Sequence, residues 1–225
     1  MHFTDFKNYI LKINDYKLPG HDYLLKIAPP SRIKHLKTNL TPEDCKTASV
    51  LMLFYPDNEN DTRLVLMLRN KYNGVHSNQI SLPGGKIDKI DKSLKDTALR
   101  ETEEEIGLNK SRINIVGELS SVYIPPSNFN VHPFIGYTNT TPIFVPDPKE
   151  VSLILNPKLD YILNMDIVES LVEVNNSTQK VPSFIIDNHI LWGATAIMVH
   201  EFVLLFKQMV NSNFRCPYSS KIQSV

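Results

Sequence analysis

Phe3, Phe6, Ile10 and Ile13 recur at helical spacing with Asp5 and Lys7 between them, which predicts a short amphipathic helix at the start of the chain. Leu18-Pro19-Gly20 breaks that helix, and Pro29-Pro30 marks a loop. Residues 48–55 and 64–69 are apolar, strand-like runs. The turn formers between them, residues 56–61, predict a hairpin. Residues 79–82 read as a short strand running into Gly84-Gly85. A helix follows from about 93 to 105, with Ser93 and Asp96 in capping-box spacing and Gly107 placed for a left-handed C-terminal cap. Residues 113–122 and 131–137 are further strands. Pro142, Pro146 and Pro148 define a loop, after which 149–155 reads as the start of a helix. Val172-Glu173-Val174 and Phe184-Ile185-Ile186 predict a late hairpin, and 193–210 a long helix. No internal repeat stands out. The order divides the chain into an N-terminal extension (1–46), a main domain (47–212) and a polar C-terminal tail (213–225). The extension can pack on the main domain or on a second subunit, so a homodimer is an open expectation.

Composition narrows the function classes. The 225 residues hold 24 Lys plus Arg against 24 Asp plus Glu, so no global basic field gathers nucleic acid. Cys45 and Cys216 stand far apart, which suits a reducing compartment and offers no zinc-ligand spacing. The first residues lack a signal-peptide core, and the apolar stretch 190–206 contains His200 and Glu201. The expectation is a soluble cytoplasmic protein with no membrane association.

The chemistry concentrates on the predicted helix 93–105. At about 100° per residue, Glu101, Glu104 and Glu105 fall on adjoining azimuths, where like charges repel unless a cation or strong solvation intervenes. Leu99, Thr102 and Ile106 form a different stripe, suited to packing on a sheet. Glu103 faces away and reads as solvated, and Arg100 stands one turn before Glu104, close enough to pair with it. A glycine turn feeding clustered carboxylates suits a hard divalent cation beside a phosphate, because such ions prefer oxygen ligands.

Arg100-Glu101-Thr102-Glu103-Glu104-Glu105-Ile106-Gly107-Leu108 resembles the second half of the Nudix box: Gly, five residues, Glu, seven residues, Arg-Glu-apolar-x-Glu-Glu-x-Gly-apolar. The first half departs from it. Five residues separate Gly85 from Asp91, which stands in place of the Glu, eight separate Asp91 from Arg100, and Thr102 replaces an aliphatic residue. This one-residue insertion resembles the coenzyme A diphosphatase branch of Nudix hydrolases, where Asp occupies the turn. Arg69 and the segment from Gly74 to Gly85 resemble that branch's upstream signature, with Leu82 at its Phe, Asn78 at its Gly and Gly74 at its second Arg. The segments 122–129, 131–134 and Trp192 to Ala196 are similar to later parts of the family.

The resemblance implies an α/β/α sandwich around a mixed sheet, with the N-terminal helical extension added. It also implies hydrolysis of the diphosphate of coenzyme A or acyl-coenzyme A to 3′,5′-ADP and 4′-phosphopantetheine, with Mg²⁺ or Mn²⁺ required. The implied metal ligands are Glu101, Glu104 and Glu105 with the Gly85 carbonyl. Glu101 or Glu104 is the base, and Arg100 orients a glutamate. Arg69, His76 and Gln79 are the implied substrate contacts, with His76 equally readable as a loop residue bonded to backbone. Asp88 and Asp91 either bind metal or shape the turn. Trp192 reads as core packing ahead of base stacking, His132 as structural and Glu201 as solvent-facing. Two other readings stay open. One is the same chemistry on another nucleoside diphosphate derivative such as ADP-ribose, kept alive by Gly74. The other is a non-catalytic binding module of the same fold.

Overall fold

A long strand, β1 (Lys46–Pro56), organises the molecule because both of its faces are apolar. Leu51, Leu53 and Tyr55 point to one side, and Met52 and Phe54 to the other. The computed structural model describes residues 1–19, 24–29, 33, 41–71, 76–174 and 177–211. Gly20, Pro30, Gly74, Cys216 and the tail lie outside these residues.

β1 pairs in parallel with β8 (Phe129–Tyr137) along nine registered positions, Lys46 opposite Phe129 through Phe54 opposite Tyr137. Every other pairing is antiparallel. Past one edge, β2 (Thr62–Leu64) takes the C-terminal end of β1 and β5 (Gly84–Lys86) its N-terminal end. Beyond β8, β6 (Asn114–Glu118) and β7 (Val122–Ile124) divide its length. The result is a six-stranded mixed sheet. Two three-stranded sheets flank it: β3 (Leu66–Arg69) between β4 (Ile80–Ser81) and β9 (Val151–Leu155), and β10 (Val168–Val174), β11 (Ser177–Ile186) and β12 (His189–Trp192) in sequential order.

Helix α3 (Leu94–Ile106) covers one face of the large sheet, where Ala98 and Ile106 meet Leu51, Leu53 and Phe134. The opposite face is covered by α1 (Phe3–Ile10) and α5 (Gly193–Val210), with two short helices, α2 (Leu24–Ile27) and α4 (Leu159–Leu163), at its margins. The sandwich is therefore α/β/α, as the sequence implies. By length and composition alone α5 could cross a membrane, but here most of it is buried in the core.

The first helix belongs to this core. Phe3, Phe6, Ile10 and Ile13 are all buried, and the Phe6 ring lies 4.7 Å from Phe54 and 5.5 Å from Phe206. Of the two packings open to the extension, α1 takes the one against the main domain.

Several local expectations change: the run 113–122 breaks into β6 and β7, and 172–174 pairs with 177–179 while 184–186 pairs with β12. Residues 149–155 form no helix: Val151–Leu155 is β9, held by β3 with Leu66 opposite Leu155. Its β-branched and aliphatic residues fill a vacant sheet edge that local pattern does not reveal. The run 64–69 divides between two sheets at Val65, whose N–H donates to the Leu53 carbonyl. On α3, Ala98 rather than Leu99 joins the core stripe, and Leu99 is half-buried beside Asp91 and Lys110.

Candidate active site

Helix α3 begins at Ser93, whose hydroxyl accepts the Asp96 N–H and donates to the Asp96 carboxylate. It ends at Gly107, whose φ of 70° is the left-handed cap expected from the sequence. A side chain on Gly107 would also strike Val145. These caps fix the rotation of the helix and hence the direction of its glutamates.

Two glycines make β5 an edge without side chains. A Cβ on Gly84 would strike the β1 backbone at Ser49 and Val50, and one on Gly85 would stand within 2.6 Å of both carboxylate oxygens of Glu101. β1 and β5 thus close tightly, and the Glu101 carboxylate lies directly against the turn. Glu105 is buried beneath it, accepting the Gly84 N–H at 2.7 Å and Arg69 Nη1 at 3.3 Å. Burial pushes its carboxyl up to about 8, against the Gly84 bond and the Arg69 charge, which lower it. Burial also raises Glu101, despite the lowering effect of Arg100.

Arg100 ties the site together. Its Nε and Nη2 each reach Asp91 at 2.9 Å, Nη1 reaches Glu101 at 2.8 Å and Glu104 at 2.9 Å, and Nη2 also donates to the Lys86 carbonyl. This is the pairing with Glu104 expected from helical spacing, extended to three carboxylates. Asp91 also accepts the Thr97 hydroxyl and the Asp88 N–H, and the Arg100 guanidinium holds its carboxyl well below the usual range. Asp88 accepts the Ile90 N–H. Both aspartates therefore shape the turn. Glu103 points away, as expected, and meets Lys110.

A further glutamate arrives from a loop that sequence reasoning passed over. Glu150, just before β9, stands 3.9 Å from Arg69, and its charge raises both Glu101 and Glu105. The loop is anchored by the N–H of Asp147 on the Glu105 carbonyl and by that of Asn70 on the Glu150 carbonyl. No spacing signal links residue 150 to the helix; the β3–β9 pairing and these two loop bonds bring it there. Glu201, expected to face solvent, is fully buried in α5 and accepts the backbone N–H and hydroxyl of Ser120. It joins α5 to the β6–β7 connection, because the sheet covers the helix face on which it lies.

The expected ligands, Glu101, Glu104, Glu105 and the Gly85 carbonyl, are all oxygen donors carried by α3 and the adjoining glycine edge. The burial-raised carboxyls of Glu101 and Glu105 favour a hard divalent ion such as Mg²⁺ or Mn²⁺, whose charge would draw them back to the ionised state. In donor type the residues fit the group; among the described residues the three glutamates do not all meet within 4.8 Å, a spacing that Asp57, Glu59 and Asp61 reach. A second acidic cluster, Asp57, Glu59 and Asp61 in the β1–β2 turn, is neutralised by Arg63 and Lys158 and lies at the other end of β1.

On the opposite side of the β5 edge, a mostly apolar cavity of about 230 Å³ opens between the sheet and the start of α5. Arg69, His76 and Gln79 all line it, as do Phe129, Met198 and Trp192. His76 bridges Gln79 Oε1 at 3.1 Å and Ser127 Oγ at 3.2 Å, joining the two walls. Its φ of 72° is a conformation that residues other than glycine rarely adopt. Trp192 is half-exposed in this wall rather than core-packed, since it lies at the β12–α5 junction. His132 is structural, half-buried beside Asn130, and burial lowers its pKa.

The NUDIX domain matches residues 46–161, just over half of the chain. An uncharacterized Nudix hydrolase NudL of Photorhabdus laumondii is 28% identical over 186 residues, covering 80% of this chain and 91% of its own. The mitochondrial Nudix hydrolase 15 of Arabidopsis thaliana is 35% identical over 120 residues, covering 52% of this chain and 42% of its own. This chain spans about half the length of the Arabidopsis relatives it matches. The MutT protein from Methanosarcina mazei Go1 superposes with a TM-score of 0.45 at 17% identity, over 77% of this chain and all of that one.

Proposed function

Since the chain belongs to the NUDIX domain family, we propose that it hydrolyses the diphosphate linkage of coenzyme A or an acyl-coenzyme A, giving 3′,5′-ADP and (acyl) 4′-phosphopantetheine. The observation that carries the hydrolase reading is the stack of Glu101 on Gly85 and Glu105 on Gly84, tied to Glu104 through Arg100. The coenzyme A reading rests on the turn, which has one extra residue between Asp91 and Arg100 and Asp91 in the place of Glu, gripped by Arg100 with two bonds.

In this proposal Glu101, Glu104, Glu105 and the Gly85 carbonyl hold the divalent ion. Mg²⁺ or Mn²⁺ supplies charge neutralisation on the diphosphate and a more acidic water. The chain supplies the rest. Arg100 keeps two glutamates from turning away. The glycine edge lets phosphate oxygens come close to the backbone. Arg69 stands where it can meet a phosphate at the pocket mouth. The water oxygen bonds to phosphorus, the bridging phosphorus–oxygen bond breaks, and the departing phosphate keeps the electron pair. The water's proton passes to a carboxylate of the cluster. Glu101 and Glu104 are both clamped by Arg100, so half-exposed Glu150 is a third acceptor beside them.

Gly74, in place of the signature's second Arg, supports the alternative of another nucleoside diphosphate such as ADP-ribose. The test is hydrolysis of coenzyme A with Mg²⁺ or Mn²⁺, following 3′,5′-ADP by chromatography, with ADP-ribose run in parallel. Preferential release of 3′,5′-ADP, abolished in Glu104→Gln, supports the proposal. Brisk cleavage of ADP-ribose alone moves the substrate and keeps the site.

A further inference from the structure

Two lysines on the rim of the apolar cavity have no part in the chemistry above. Lys86, the last residue of β5, lines the cavity. Lys46, the first of β1, holds its Nζ 5.6 Å from the centroid of Phe129, a lining ring. The register sets both on one face. Ala48 lies opposite Lys86 on β5 and opposite Val131 on β8, while Lys46 lies opposite Phe129. Side chains two apart on a strand share a face, so Lys46 follows Ala48 toward the cavity. Lys86 and Lys46 are then diagonal neighbours on adjacent strands, about 7–8 Å apart at the backbone. The Ile87 N–H, donating to the Thr47 carbonyl, keeps this register past the end of β5.

Both lysines are exposed. Among the described residues, neither ammonium group lies within ion-pair distance of a carboxylate. Asp88, the acid nearest Lys86 along the chain, turns its carboxylate onto the Ile90 amide, and Glu43 and Asp44, the acids nearest Lys46, form no ion pair with it. Two exposed ammonium groups on flexible stems, set on one face beside an apolar cavity, suit a phosphate dianion. Gly85 and Arg69 border the same cavity, and the Cβ direction of Gly85 points to Glu101, so the lysine pair flanks the glutamate cluster across the β5 edge.

The geometry points to an anion subsite at Lys46 and Lys86 that binds a second phosphate on the nucleoside, the 3′-phosphate in coenzyme A. The naming of that phosphate rests on the coenzyme A reading; the lysine pair itself does not. It offers the nucleotide positive charge that the sequence lacks at position 74, where Gly stands for the signature's Arg.

The test is calorimetric binding of 3′,5′-ADP and 5′-AMP to the full chain with Mg²⁺, for the parent, Lys46→Ala, Lys86→Ala and the double variant. Melting curves check that these surface changes leave the fold intact. The parent is expected to bind 3′,5′-ADP about tenfold more tightly than 5′-AMP, because two charge-assisted contacts reach the extra phosphate. Each single variant narrows that ratio, and the double variant brings it to about one. A parent ratio near one, or a ratio unchanged in the double variant, overturns the subsite. Coenzyme A turnover is scored separately. A lysine-dependent ratio without coenzyme A cleavage keeps the subsite and discards the proposed substrate, while cleavage with an unchanged ratio does the reverse.

Discussion

The carboxylate of Glu101 fills the space that a side chain on Gly85 would need. The obstacle is the end of a movable side chain, so Gly85→Ala is expected to fold with a loss below about 1 kcal/mol. Displacing Glu101 by even an ångström is expected to lower kcat about a hundredfold. Gly84→Ala is different, since its Cβ meets the β1 backbone and its φ is 149°. That variant is expected to lose about 3 kcal/mol of stability. Thermal melting and turnover measured on both variants separate the two effects; a fully active Gly85→Ala protein would remove Glu101 from the site.

Arg100→Lys tests the clamp. A lysine cannot reproduce a planar fork that reaches Asp91, Glu101 and Glu104 together. Turnover is expected to drop about a hundredfold, and half-maximal activity to need more Mg²⁺, as the glutamates lose their shared partner. A metal titration of activity reads this directly. An unchanged metal requirement means the clamp serves the turn alone.

Glu150→Gln keeps the shape of the side chain and removes its charge. Glu101 and Glu105 are both raised in part by that charge, so the acidic limb of the kcat–pH profile is expected to move to lower pH. If Glu150 also takes the water's proton, kcat falls about a hundredfold or more. If neither the limb nor kcat moves, Glu150 is a bystander.

Glu105 makes the metal-free protein sensitive to alkali. Its carboxyl rises from the ordinary 4.5 to about 8 in the fold, so between those values the folded chain holds a proton that the unfolded chain has released. Stability therefore falls as pH rises through that window. Burial moves His200 the other way, from 6.5 down to about 4, giving stability that is lost as pH falls from 6.5 toward 4. Melting in chelator is accordingly best compared between pH 6.5 and 8, above the His200 window. The expected result is a falling melting temperature, restored most by Mg²⁺ or Mn²⁺ at pH 8 and flattened in Glu105→Gln. A flat parent curve refutes the burial argument.

Local chemistry made α3 legible from sequence alone. Ser93, Asp96 and Gly107 signal its ends within one turn, and the i, i+3, i+4 spacing of Glu101, Glu104 and Glu105 follows from helix geometry. The hydrophobic period likewise marked α1 and α5. Only tertiary structure decided what depends on chain segments distant in sequence. Residues 151–155 became a strand because β3 offered an open edge. Glu150 reached the glutamates through that same pairing. Glu201 was buried because Ser120 supplies its hydrogen bonds across 81 residues. Trp192 was drawn from core to cavity wall by the turn from β12 into α5. Periodicity records which face of an element is apolar, but not which partner covers that face, and burial, charge coupling and the position of a loop carboxylate depend on the partner.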